Sequence, residues 1–248
     1  MPQAGVVHDA LLPDPLLTPF VHSYWQLRTI APLAVPYVHT AVADGCIDLI
    51  LTANATNAPV IVGFTPRFTT FELGTSFHYI GVRFLPVAFP LLFRVDASEI
   101  AHRVTPLSDF LPAWAGMPVA SHFTGLADAK RFFDAELLRL VTRRDLRVDR
   151  RFLAAVTTIL RTAGQLHTQR DLDTGVSPRQ LRRLFELHIG DSPKQFSNVV
   201  RFQRMLHLRT VKAKDISAME DAGYYDDAHM IRAFKAMFGR TPGQAFAR

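Results

Sequence analysis

Residues 175–206 read GVSPRQLRRLFELHIGDSPKQFSNVVRFQRML, and their apolar period decides how the C-terminal part of the chain folds. Ser177 is a natural N-cap, because its hydroxyl can accept a backbone N–H that the first helical turn leaves unpaired. Pro178 suits the first helical position, and Gln180 stands three residues after the cap, as in a capping box. Leu181, Leu184 and Phe185 recur at i, i+3 and i+4 and so face inward, which places Arg179, Arg182 and Arg183 on the opposite side. Gly190 ends this helix. Ser192 and Pro193 repeat the starting device for a longer helix that carries Lys194, Arg201 and Arg204 and runs to about Val211.

The period continues outward in both directions. Upstream, VDRRFLAAVTTILRTAG (148–164) predicts a helix ending near Gly164; downstream, DISAMEDAG (215–223) predicts a short one. Residues 223–242, GYYDDAHMIRAFKAMFGRTP, then place Met230, Ile231, Phe234, Met237 and Phe238 on one stripe, interrupted by Arg232 and Lys235, with Asp226 available as the cap. Two similar units result, each a short helix, a turn near a glycine (Gly175, Gly223) and a longer helix with a basic outer side. The helix joining them, 193–211, spans roughly 28 Å at ~1.5 Å per residue. That approaches the ~34 Å between successive major-groove faces of B-DNA. A row of guanidinium groups is either a solvated face or the footprint of a polyanion.

Charge distribution favours the second reading. The net charge of +6 divides into −3 over residues 1–140 and +9 over residues 141–248, so a polyanion-binding half is joined to a half with another task. With 48% hydrophobic residues, 248 positions are enough for two folded domains. The N-terminus lacks a signal-peptide pattern, and the apolar run IGVRFLPVAFPLLF is broken by Arg83 and two prolines, so a cytoplasmic protein without membrane attachment is expected. Cys46 is the one cysteine, and the ten histidines come no closer in sequence than His8 and His22. An internal disulfide and a local metal motif are therefore excluded, and no cofactor is expected. Neither a GxSxG elbow nor a phosphate loop nor GxGxxG occurs; an enzyme is not expected.

The N-terminal half reads as β-structure. VPYVHTAV and IDLILTA flank Ala43-Asp44-Gly45-Cys46, whose Asp-Gly pair predicts a hairpin turn. Further strands are predicted at PVIVGF, RFTTFEL and SFHYIGVRF, followed by helical pieces at AFPLLF, ASEIAHRV and PLSDFL and an amphipathic helix at 126–144 carrying Phe133, Leu137, Leu140 and Val141. The fold class is thus α+β: a β-barrel or sandwich-like domain with trailing helices over 1–125, a linker helix at 126–147, and an all-α unit of two helix-turn-helix motifs at 148–248. In the first domain, candidate ligand contacts are Trp25, His39, His78 and Arg83. Each has a plainer reading: Trp25 as core, and Arg83 as the partner of an acidic neighbour. Cys46 reads as a small buried hydrophobe.

The stretches GVSPRQLRRLFELHIGDSPKQFSNVVRFQRML and GYYDDAHMIRAFKAMFGRTP resemble the double helix-turn-helix domain of AraC/XylS-type transcriptional regulators. The signature is the order Gly223, aromatic, Asp226, His229, Arg232, Phe234, Lys235, Phe238, Gly239, Thr241, Pro242. The resemblance covers about residues 148–248, and ADGCIDLI, GVRFLPVAFPLLF and ASEIAHRVTPLSDFL resemble the sensor half of some members. It implies sequence-specific DNA binding through Ser177, Arg179, Arg182, Arg183, Lys194, Asp227, His229, Arg232 and Lys235, with Phe185, Phe234 and Phe238 in the core. Expected partners are duplex DNA, RNA polymerase and a small-molecule effector at the N-terminal domain; the apolar stripe of helix 126–144 packs either on its own barrel or on a second subunit, in a homodimer. Two departures from the family pattern stand out: Arg170 and Asp171 replace a Leu-Ala pair before the first glycine, and Met230 replaces Phe or Leu. The rival reading is a ligand- or protein-binding module whose DNA binding is non-specific. A DNA-alkylation repair enzyme carrying this motif would need several cysteines.

Overall fold

The computed structural model describes residues 4–52, 58–114, 116, 118, 120–168, 172, 174–211 and 227–246. The eight strands are β1 (Val6–Leu11), β2 (Val21–Thr29), β3 (Tyr37–Ala41), β4 (Ile47–Thr52), β5 (Val60–Val62), β6 (Thr69–Gly74), β7 (His78–Phe84) and β8 (Val104–Pro106). They form a six-stranded sheet in the order β1-β2-β7-β4-β5-β8 and a two-stranded sheet, β3-β6. Among the described residues the sheets do not close into a barrel. The Asp-Gly turn is not a hairpin either: β3 pairs with β6 while β4 pairs with β5 and β7, so Gly45, at φ +78°, carries the chain from one sheet to the other. Positive φ is what the glycine supplies, in either kind of turn.

The six-stranded sheet has two distinct faces because side chains alternate along each strand. One face carries Tyr24, Leu49, Leu51, Ile80, Val82 and Phe84 and is buried with α1 (Ala88–Phe93), α2 (Ala97–Ile100) and α3 (Leu126–Arg143). In α3, Phe133 stacks on Tyr24 at 5.8 Å and Asp134 accepts the Tyr24 hydroxyl at 2.7 Å. Leu126, Ala129, Phe133 and Leu137 are all buried in this core. Of the two readings of this stripe, packing on its own domain or on a second subunit, Phe133 and Leu137 take the first.

The C-terminal part contains α4 (Arg150–Arg161), α5 (Pro178–His188), α6 (Pro193–Val211), α7 (Asp227–Phe238) and α8 (Pro242–Phe246). Ser177 and Ser192 cap α5 and α6, accepting the N–H groups of Gln180 at 3.2 Å and Gln195 at 3.3 Å. An aromatic chain runs through the core, from Phe152 to Phe185 (5.0 Å), Phe185 to Phe196 (6.0 Å) and Phe202 to Phe234 (5.6 Å). Gly164 fixes α4 to α6: its carbonyl accepts Ser197 Oγ at 3.0 Å and Arg201 Nη2 at 2.5 Å. A Cβ there would lie 2.1 Å from the Ser197 carbonyl oxygen, so only glycine permits the approach. Between α4 and α5 no described residue is helical, although Leu166 and Leu172 pack on the core. The substitutions at Arg170 and Asp171, the predicted helix 215–223, the turn at Gly223 and the cap Asp226 lie outside the described residues.

Candidate nucleic-acid interface

Amphipathicity positions the cationic groups. Burying Leu181 and Phe185 against Phe152 and Phe196 turns the other side of α5 outward, and Ser177, Arg179, Arg182 and Arg183 are exposed there. On α7, burial of Met230, Phe234 and Met237 does the same for His229, Arg232 and Lys235. Asp227 opens α7, and Lys194 is exposed at the second position of α6. Arg182 donates from Nε to Glu186 Oε1 at 2.9 Å, one turn along α5. Among the described residues Arg179, Arg183, Lys194, Arg232 and Lys235 have no acidic partner. Exposed cations on these three helices can serve phosphate oxygens, and arginine can also address guanine O6 and N7 in a major groove. Arg201 is turned inward to Gly164, whereas Arg204 is exposed.

In the N-terminal domain two of the four ligand candidates, Trp25 and Arg83, lie on the second face of the six-stranded sheet, and a third, His39 on β3 of the two-stranded sheet, lies within electrostatic reach of Arg83. Trp25 pairs across the ladder with Gly81, and its indole lies so close that a Cβ on Gly81 would be 2.2 Å from the ring. Trp25 Nε1 donates to Asp48 Oδ1 at 2.9 Å. Arg83 bridges Asp48 at 2.9 Å and Asp44 at 3.2 Å; of its two sequence readings, the structure gives the acidic-neighbour pairing. Burial works against the charge of Arg83, but Asp48 and Asp44 outweigh it and its pKa rises. His39 is held below the ordinary histidine value by burial and then by His8 and Arg83, with Asp48 opposing, so its ring shares this electrostatic environment. His78 does not join them. It alternates with Tyr79 to the other face of β7, beside Arg28, and burial lowers its pKa. Burial, followed by Asp44, pushes the Cys46 thiol well above its usual range, which leaves it protonated and poorly nucleophilic.

Sequence reasoning did not single out Asp48 or Gly81 and read Asp44 only as a turn residue. The strands that pair with β7 come from distant sequence, so the carboxylates that meet Arg83 could not be named. Among the described residues no group of side chains could hold a metal ion, and no helix is long and apolar enough to cross a membrane.

Residues 9–106 match a domain of unknown function (DUF6597), and residues 173–248 match a helix-turn-helix domain. Among curated proteins no sequence relative matches. Similar solved structures include ToxT from Vibrio cholerae O395 bound to (E)-4-(8-methylnaphthalen-1-yl)but-3-enoic acid, at 10% identity and TM-score 0.45, covering 98% of each chain. Unsaturated fatty acid-bound ToxT from Vibrio cholerae strain SCE256 matches at 11% identity and TM-score 0.41, over 98% of this chain and 95% of that one. The helix-turn-helix match covers the residues that carry the AraC-type resemblance and includes both cationic helices.

Proposed function

We propose that the chain is a sequence-specific transcriptional regulator that reads duplex DNA with α5 and α7 and responds to a small-molecule effector through its N-terminal domain. The carrying observation is the pair of exposed cationic helix faces, Arg179, Arg182 and Arg183 on one and Arg232 and Lys235 on the other, joined by the 19-residue α6. The length of α6 suits presentation of both helices to one side of a duplex, with base patches about one helical turn, ~10 bp, apart. The DNA-binding unit comprises residues 148–248, and the regulatory unit comprises residues 1–125 together with α3. The effector site is the sheet face around Trp25, His39 and Arg83, where polar groups and aromatic rings converge. RNA polymerase is the further partner this role requires.

Selection of bound fragments from a random duplex library by the purified chain tests the reading. An enriched site should retain a preference over random sequence of ~10³-fold or more at physiological salt. Equal weakening of all sequences with salt, and no enrichment, would instead fit a module with non-specific DNA binding. Repeating the selection with candidate metabolites would identify an effector by a change in affinity.

A further inference from the structure

Two segments of the N-terminal domain end α7. The last carbonyls of an α-helix have no partner within it, and here two of them are taken by another domain's backbone: Ala43 N–H donates to Met237 O at 3.1 Å, and Phe68 N–H to Ala236 O at 3.2 Å. The Phe68 ring also covers Gly239, where a Cβ would sit 3.1 Å from it. Ala43 is pinned from its other side, since its carbonyl accepts the Gln203 side chain of α6.

The same domain grips the first unit at the end of α5. Gly190 lies so close to α2 that a Cβ would be 2.7 Å from Ala101 Cβ and 2.9 Å from the Ala97 oxygen. His102 Nε2 meets Asp191 at 3.3 Å. These two grips belong to one frame, because His102 N–H donates to Phe64 O at 2.8 Å and Gly63 N–H to Arg103 O at 3.2 Å. Val87, at φ +76° in a conformation that β-branched residues avoid, is buried with Ala43 and Phe64 in the core of the helical domain. The grips hold the C-terminal ends of α5 and α7 and leave Arg179, Arg182, Arg183, Arg232 and Lys235 exposed.

We infer that the N-terminal domain is a brace that sets the separation and angle of the two recognition helices, with Phe68 and His102 as positioning residues for site spacing. The inference rests on the DNA-reading role of α5 and α7. The brace takes backbone carbonyls at the C-terminal end of α7 and packs on the end of α5 while the cationic side chains, Lys235 in the last turn of α7 included, stay exposed, so docking and DNA reading are compatible. Loss of one grip leaves α6 to join the two units among the described residues, and the two base patches can then be met at more than one spacing.

The test is site selection from a random duplex library with the full chain, wild type and Phe68→Asp, at one salt concentration, with circular dichroism and thermal melting to establish folding. The wild type should recover two base patches at a single separation. Phe68→Asp should recover the same patches at several separations, differing by about 1–2 bp on the ~10-bp helical repeat, and Phe68→Leu should restore the single one. If Phe68→Asp does not fold, His102→Ala, altered at the opposite grip, should loosen spacing in the same way. Retention of the single wild-type separation by a folded Phe68→Asp or His102→Ala chain overturns the brace while leaving specific DNA binding intact. Absence of any enriched sequence with the wild type overturns the DNA-reading role, and the brace with it.

Discussion

Arg182 Nε lies 2.9 Å from Glu186 Oε1, one helical turn away on α5. The side chains are 69% and 44% exposed, so the pair contributes only about 0.3–0.5 kcal/mol to the helix. It also points Arg182 along the helix and puts a carboxylate beside the face that approaches phosphates. Arg232 on α7 carries no such partner among the described residues. Arg182→Ala should therefore cost less binding than Arg232→Ala, whose loss is expected at ~1–3 kcal/mol with relaxed preference at one end of the site. Glu186→Gln should tighten binding to all duplexes by about twofold, the value of the released pair. Titrations of the three variants against one selected site would decide this; Glu186→Gln binding more weakly than wild type would show that the ion pair orients Arg182 for DNA.

Leu137 is fully buried between α3 and the six-stranded sheet, which sets a second expectation. Leu137→Ala should destabilise the chain by ~2–5 kcal/mol through lost burial and a residual cavity. The denaturation midpoint of each protein should not depend on its concentration if α3 acts within one chain, whereas a dimer held through this stripe would gain stability with concentration. Chemical denaturation at two concentrations a hundredfold apart separates the two cases.

How far these features were legible in the sequence depends on whether their causes are local. The helix α5 was readable from Ser177, Pro178 and a 3.6-residue apolar period, and α6 appears over the span that Pro193 and Val211 suggested, because caps and periodicity act within a few residues. Strands β4 and β7 were visible as β-branched runs. Strand β2 was not predicted, since His22, Ser23, Gln26 and Arg28 break its alternation, and what makes it a central strand is pairing with β1 and β7. The turn at Gly45 was recognised but its role mistaken, because local chemistry selects a positive φ and says nothing about which sheet the next strand joins. An acidic partner for Arg83 was expected but Asp48 and Asp44 could not be named, and the Ala43 and Phe68 bonds to α7, which bring together distant parts of the chain, had no sequence signal.

His188 supplies a pH-dependent prediction. Its ring packs on Phe152 at 4.9 Å, and its Nδ1 is buried without a hydrogen-bond partner among the described residues. Burial lowers its pKa, with Asp96 opposing. A histidine of depressed pKa binds its proton less tightly in the folded chain than in the unfolded one, where it titrates near ~6.5. The unfolded state then carries more protons, so stability is fully present above ~pH 6.5 and falls as pH drops through that value toward the lower folded pKa. His39 and His78, lowered by the same cause, act in the same direction. His188→Phe keeps an aromatic ring against Phe152 and removes one titration, so the loss of stability between pH 7.5 and 5.5 should shrink by up to ~1.4 kcal/mol per pH unit within the titration window. Denaturant midpoints at several pH values would measure it. Superimposable profiles for variant and wild type would mean that His188 takes up its proton in the folded chain as readily as in the unfolded one.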